Sequence, residues 1–344
     1  MDGEIDLESV TRVAIETIVE AHEFTFTTLR TSPTWAFAKF DIPRQTQTRR
    51  RGKPALNIDI AVENVARTQL KTRLASLNPL VLGEEYGDEP LTPTLDLTGR
   101  DRLIILVDMV DGTDLLERNL WNWCSAMIFY YPKMRKAEDR ILASFIGLPG
   151  EGVYFARRDR AKVLKATVRR SIENGESLLR IDTMVVAGPS SVETLAQASV
   201  SFYGQKIPNL FSVALKEDIN ASLVPHAFAK NMLDLQKTKP ATRIYNLAGN
   251  PMMMRLIDDG GLGHTRIDAV FDLNGQLPHD AVPGLYIAHR AGAILRDVTG
   301  SVLTPELLAK KLMRPASEEA SEKVRYVVSS SKRLCDELLD YFND

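Results

Sequence analysis

Cysteine is scarce in this chain: there are two in 344 residues, Cys124 and Cys335, and no CxxC spacing. That argues against a disulfide framework or a thiolate metal centre and fits a reducing compartment. Histidine is nearly as sparse. The five, His22, His226, His264, His279 and His289, form no HExxH pair, so a zincin-type site is not expected. Net charge is almost absent as well, -2 at pH 7, which gives the chain no general affinity for nucleic acid or membrane. No apolar run approaches the roughly 20 residues that cross a bilayer. The start, MDGEIDLES, is acidic and has no basic or apolar leader region. A soluble, cytoplasmic protein is the expectation.

What is present is ordinary globular composition, 44% hydrophobic and 26% charged, at a length that supports one large domain or two of common size. Leu7, Val10, Ala14, Ile18 and Ala21 recur at three- and four-residue spacing, predicting a helix over about 6–21. The Thr-, Arg- and Pro-rich stretch from Thr31 to Pro54 reads as loop or hairpin, with a basic run at Arg49, Arg50, Arg51 and Lys53. A second periodic helix opens at Asp59 and ends before Pro79. Strands follow at Leu80 to Leu82, Leu103 to Val107, Trp121 to Tyr131, Ile141 to Leu148 and Gly152 to Ala156. The basic, weakly patterned segment from Ala161 to Arg180 is where a domain boundary is placed, dividing an amino-terminal part, 1–165, from a carboxy-terminal part, 166–344. Thr183 to Ala187 reads as a strand, Ser191 to Ala198 as a serine-capped helix, and the chain ends in a strand at Tyr326 and an amphipathic helix. Trp121, Trp123 and Met252 to Met254 read as core.

The stretch Val107-Asp108-Met109-Val110-Asp111-Gly112-Thr113-Asp114 crowds three aspartates at the end of an apolar strand. Carboxylates taken out of water cost several kcal/mol unless a positive group meets them, so a cation is the expected occupant. The position is where α/β sheets collect ligands, and hard oxygen donors favour Mg²⁺ or Mn²⁺ over zinc. An EF-hand does not fit. With Gly112 at its sixth position, the first and twelfth fall on Val107 and Arg118, where acidic residues are required.

The motif resembles the Asp-Pro-Ile-Asp-Gly-Thr of the inositol monophosphatase superfamily of metal-dependent, lithium-sensitive phosphatases. Gly83-Glu84-Glu85 matches the family's upstream Gly-Glu-Glu, and Asp59 matches an aspartate that opens a helix. Downstream, His279-Asp280, Ala291-Gly292-Ala293 and Asp297-Val298-Thr299-Gly300 stand where the family has Trp-Asp, Ala-Gly-Gly and Asp-Val-Thr-Gly. The likeness covers most of the chain and is weakest between about 161 and 240, where extra sequence is carried.

The resemblance implies a layered αβαβα sandwich of the inositol monophosphatase and fructose-1,6-bisphosphatase type, with an α+β domain over 1–165 and an α/β domain over 166–344, and two or three Mg²⁺ ions. One ion would be held by Glu84, Asp108 and the carbonyl of Val110, another by Asp108, Asp111 and Asp280. Thr113 and Asp59 would orient water alongside Glu84, and Gly112 and Thr113 would give N–H groups to phosphate. Ala248, in Asn246-Leu247-Ala248, and Asp272 would face the organic half of the substrate. Met109, His279, Ala293 and Asn246 depart from the family pattern. The implied activity is hydrolysis of a small phosphorylated metabolite, inositol monophosphate or a sugar phosphate, by a cytoplasmic homodimer. A bisphosphate nucleotide or fructose 1,6-bisphosphate is the alternative substrate, met by Arg49 to Lys53 or Arg243. A non-catalytic binding protein on the same fold is the alternative of another class. Neither membrane nor nucleic acid is expected as a partner.

Overall fold

The computed structural model describes residues 5–39, 55–120, 122–173, 176–202, 242–245, 247, 249–258, 267–317 and 319–343. Seven strands, β1 (Leu80–Gly83), β2 (Ile104–Asp111), β3 (Cys124–Tyr130), β4 (Ile141–Leu148), β5 (Gly152–Arg157), β6 (Leu164–Glu173) and β7 (Glu176–Val185), lie in one sheet in chain order. Only β1 and β2 run parallel; the later pairs are antiparallel. A second sheet has the order β11-β12-β10-β8-β9, from β8 (Ser199–Phe202), β9 (Arg243–Tyr245), β10 (Ala269–Gln276), β11 (Ile294–Arg296) and β12 (Val324–Ser329).

Side-chain alternation explains how these sheets stack. In β2, Ile105, Val107 and Met109 join a core formed with helices α1 (Leu7–Thr31) and α3 (Asn57–Arg73), while Ile104 and Leu106 join a second core on the opposite face. That second core also contains residues of the other sheet and of two helices between them, α5 (Asn250–Ile257) and α6 (Pro278–Arg290). A third core seats the final helix, α8 (Lys332–Asn343), on the outer face of the second sheet. The result is the layered αβαβα sandwich. Short helices α2 (Pro33–Ala36), α4 (Thr113–Glu117) and α7 (Pro305–Lys311) fill the connections.

Several elements depart from the sequence reading. Helix α1 runs ten residues beyond Ala21, and along the added turns threonine hydroxyls donate to carbonyls one turn back, Thr25 to Ala21 and Thr31 to Thr27. The expected loop or hairpin from Thr31 to Pro54 begins instead as helix, at the end of α1 and in Pro33–Ala36, an isolated bridge joins Lys39 to Leu56, and the basic run lies outside the described residues. The weakly patterned segment near 161–180 is the β6–β7 hairpin, which continues the first sheet on both sides of residue 165. Much of it meets solvent, so it carries no alternating signal. The helix expected over Ser191 to Ala198 is a single turn at Leu195–Gln197, since the Leu195 N–H goes to Glu337 of α8 and Ser190 is engaged by Asp268. Trp121 lies outside the described residues. No helix among the described residues is long and apolar enough to cross a membrane.

Helix α1 approaches β4 at Gly147, where a Cβ would come within 2.3 Å of Ile18 Cγ2. Nearby, His22 Nε2 lies 3.0 Å from Ser125 Oγ, whose hydroxyl donates to the Met109 carbonyl at 2.7 Å. The chain of bonds requires a proton on His22 Nε2, and burial, which pushes the pKa down to about 4, keeps the ring neutral at pH 7.

Gly147→Ala is expected to destabilise the fold by about 1–3 kcal/mol through overpacking, measured by urea unfolding. Below the ordinary histidine value the unfolded chain binds a proton that folded His22 refuses, so this group removes stability as pH falls from about 6.5 toward 4. Unfolding at pH 6.5 and pH 5 should show wild type losing more than His22→Gln. The difference is on the order of 1 kcal/mol, less than the full shift implies because the ring keeps some solvent contact.

Candidate metal-centred active site

The parallel pairing of β1 and β2 sets Gly83 beside Val107, so Glu84 and Asp108 leave adjacent strand ends side by side. The Glu84 N–H reaches the Val107 carbonyl at 3.3 Å. A regular strand would then turn Asp108 and Asp111, three residues apart, to opposite faces. It does not, because β2 carries a bulge: Asp108 pairs with Ala126 and Asp111 with Cys124, three residues against two. Met109 and Val110 both point into the core with α1 and α3, which leaves both carboxylates on the side facing α5 and α6. The Val110 N–H closes the bulge on Asp108 Oδ1 at 3.1 Å.

From the other half of the chain, Asp280 stands in the first turn of α6, where the helix dipole favours an acidic group. Carboxylate or ring atoms of Glu84, His279 and Asp280 lie within 4.8 Å of one another. Asp108 is buried, and that burial, followed by the charges of Glu84, Asp111, Asp280 and Glu63, raises its pKa well above the usual carboxylate range. Asp111 is pushed up to about 7 by burial and Asp280, against which the donors Asn250 and Cys124 act only in part. Glu84 and Asp280 thus come together with His279 across the two halves, and Asp108 and Asp111 are close enough for their charges to act on the same group. Two unit charges 4 Å apart interact by about 4 kcal/mol at an effective dielectric of 20, so each uncompensated pair matters. Several carboxylates whose dominant influences are burial and one another form a donor set that fits hard divalent cations.

Asp59 divides its oxygens. Oδ2 accepts the Leu56 N–H at 3.2 Å as a helix cap, and Oδ1 lies 3.0 Å from the Thr113 hydroxyl. That hydroxyl is also 3.0 Å from the Val110 carbonyl, and its one proton serves both. Gly112 precedes α4, and Thr113 begins it.

Two residues passed over by the sequence reading hold this arrangement. Glu63, one turn beyond Asp59 on α3, accepts the N–H groups of Glu84, Glu85 and Tyr86 at 3.0, 2.8 and 2.5 Å. Gly83 makes room for it, since a Cβ there would come within 2.4 Å of Glu63 Oε2. Burial and the charges of Glu84 and Glu85 raise the Glu63 pKa well above normal. Asn250, at the start of α5, donates to Asp111 Oδ2 at 2.9 Å and to the Asp280 carbonyl at 2.7 Å, and accepts from the Gly284 N–H at 2.8 Å. It ties β2 to α6. The available signals were the spacing of four from Asp59 on a helix and the Asn-Pro that opens α5.

The substrate-facing expectations stand apart. Asp272 is 0% exposed within β10, where Oδ1 accepts the Gly275 N–H at 2.9 Å beside a register shift. That bond shapes the end of the strand, and the expected substrate contact of Asp272 stays a proposal. Ala248 and Asn246 lie outside the described residues.

No family model matches the sequence, and no curated protein matches it. Solved structures do. The extragenic suppressor protein suhB of Bartonella henselae superposes with a TM-score of 0.61 at 12% identity, covering 97% of this chain and 98% of that one. Thermotoga maritima IMPase gives 0.58 at 13% identity, covering 96% and 95%. Inositol monophosphatase-II of Staphylococcus aureus gives 0.58 at 15%, covering 97% and 93%. At such identities the likeness concerns architecture, and over nearly its whole length this chain has the fold of the inositol monophosphatases.

Proposed function

We propose that the chain is a Mg²⁺-dependent phosphomonoesterase that hydrolyses a small phosphorylated metabolite, inositol monophosphate or a sugar phosphate. The observation that supports this reading is that Glu84 and Asp280, far apart in sequence, come within reach of one ion, with the buried Asp108 and Asp111 electrostatically linked to them and Thr113 bonded to Asp59 nearby. Glu84, Asp108, the Val110 carbonyl, Asp111 and Asp280 would hold the ions. Divalent cations bound there would supply Lewis acidity toward phosphate oxygens and lower the pKa of water.

The remaining roles belong to the chain itself. Asp59 takes the Thr113 hydroxyl proton in a hydrogen bond, which leaves the Thr113 lone pairs to accept from a water and turn its oxygen toward phosphorus. The N–H groups of Gly112 and Thr113 would meet the phosphate. Glu63 positions Glu84 through the backbone, and Asn250 fixes the separation of Asp111 from the first turn of α6. Nucleotide phosphates remain the second substrate class. A solved structure of the Staphylococcus aureus enzyme is described as bound to 2'AMP, and another as bound to inositol monophosphate.

The direct test is a phosphate-release screen over cyclitol, sugar and nucleotide phosphates with Mg²⁺, repeated with lithium. Release that needs no divalent ion, or no release from any of them, removes the proposal. Asp108→Asn should lower Mg²⁺-dependent release by at least about a hundredfold. Its metal-free thermal midpoint should be no lower than wild type, because one repelling charge is gone. Glu63→Gln keeps one accepting oxygen but turns an amide NH2 toward at least one of the three backbone donors, and release should fall about tenfold or more, with weaker Mg²⁺ binding by calorimetry.

A further inference from the structure

His279 stands where the resembled family has tryptophan, and an imidazole brings chemistry that an indole lacks. It is 5% exposed, at the second position of α6. Its Nδ1 lies 2.6 Å from the Pro315 carbonyl, which can only accept, so Nδ1 carries the proton. In the neutral ring Nε2 then holds a lone pair. That atom is buried, makes no hydrogen bond, and lies 3.1 Å from Asp280 Oδ1. Two acceptors at such a distance repel unless something positive stands between or beside them. The same Nε2 belongs to the group with Glu84 and Asp280 whose ligand-type atoms lie within 4.8 Å, a spread that one ion can span. A carbonyl accepting from the far nitrogen is also how metal-bound imidazoles are commonly oriented and held in one tautomer.

We propose that His279 Nε2 is a nitrogen ligand of the divalent cation at Glu84 and Asp280, so that the centre favours Mn²⁺ or another imidazole-accepting ion over Mg²⁺ more strongly than an all-oxygen site would. The proposal rests on the metal-site reading above and adds to it the identity of one donor. Oxygen ligands suit Mg²⁺ and Mn²⁺ alike, whereas imidazole binds Mg²⁺ poorly and later first-row ions better. His279 therefore acts on metal choice.

The test uses the full chain with Mn²⁺ as the probe. Pulsed electron paramagnetic resonance of the Mn²⁺-loaded wild type should show ¹⁴N modulation from a directly bound imidazole, a reading that requires no variant to fold. His279→Phe should abolish the modulation and raise the Mn²⁺ Kd about tenfold or more, while the Mg²⁺ Kd changes less than about threefold. His279→Trp should do the same, and thermal melts establish that each variant is folded. Mn²⁺ bound tightly, lost in Asp108→Asn, yet without ¹⁴N modulation and unchanged by His279→Phe, would overturn the histidine ligand and leave the metal site standing. That result would assign His279 to an imidazolium–carboxylate pair with Asp280. Failure of wild type to bind Mn²⁺ at all would overturn both.

Discussion

Repulsion among carboxylates shut away from water is the constraint on which the rest of this molecule turns. Asp108, Asp111, Glu84 and Asp280 press on one another from three elements, and Glu63 adds a fifth acid just behind them. Apolar packing on either side must supply the stability that lets such a cluster persist. That is visible in the two extensive cores that meet along β2. Asp108, Asp111 and Glu63 hold protons more tightly than usual, and a site that exchanges protons for a cation has its metal affinity linked to pH.

Neutral hydrogen bonds do the holding. Asn250 brings Asp111 and the start of α6 together with an amide and so adds no charge of its own. A lysine in its place would compete with any cation for the same oxygens. Glu63 offers the opposite economy, because its three backbone donors come from the very loop whose shape matters. Ser125 and His22 brace the bulge from the far side through the Met109 carbonyl, at the residue where the resembled family has a proline to restrict the backbone.

Much of this was legible in the sequence wherever the signal was local. The aspartates, the glycine and the threonine of the 107–114 stretch crowd one strand end, which marked them, and the family resemblance singled out Asp59, Glu84 and Asp280. Helix α3 and strand β4 were readable as well, since each presents a regular apolar face. Glu63 and Asn250 were not, because a buried acid on a helix and an asparagine before proline acquire meaning only from what packs against them. His279 showed as a departure from a pattern, but its tautomer depends on Pro315, thirty-six residues away. The β6–β7 hairpin was hidden because strands wetted on both sides need no alternation. The burial of Asp272 was not legible, because its neighbours, asparagine, glycine and glutamine, look like an exposed turn while the strand around it is buried.

The bulge in β2 has a consequence for how this stretch can change. Strand residues obey an odd–even count, and the two aspartates are an odd number apart; one surplus residue converts the count to even. Substitutions at Met109 or Val110 preserve that arithmetic, whereas loss of either residue by deletion would reset it and swing one acid toward α1. The length of the segment is therefore held more strictly than its spelling, and methionine can stand in a place where proline is usual without moving either acid.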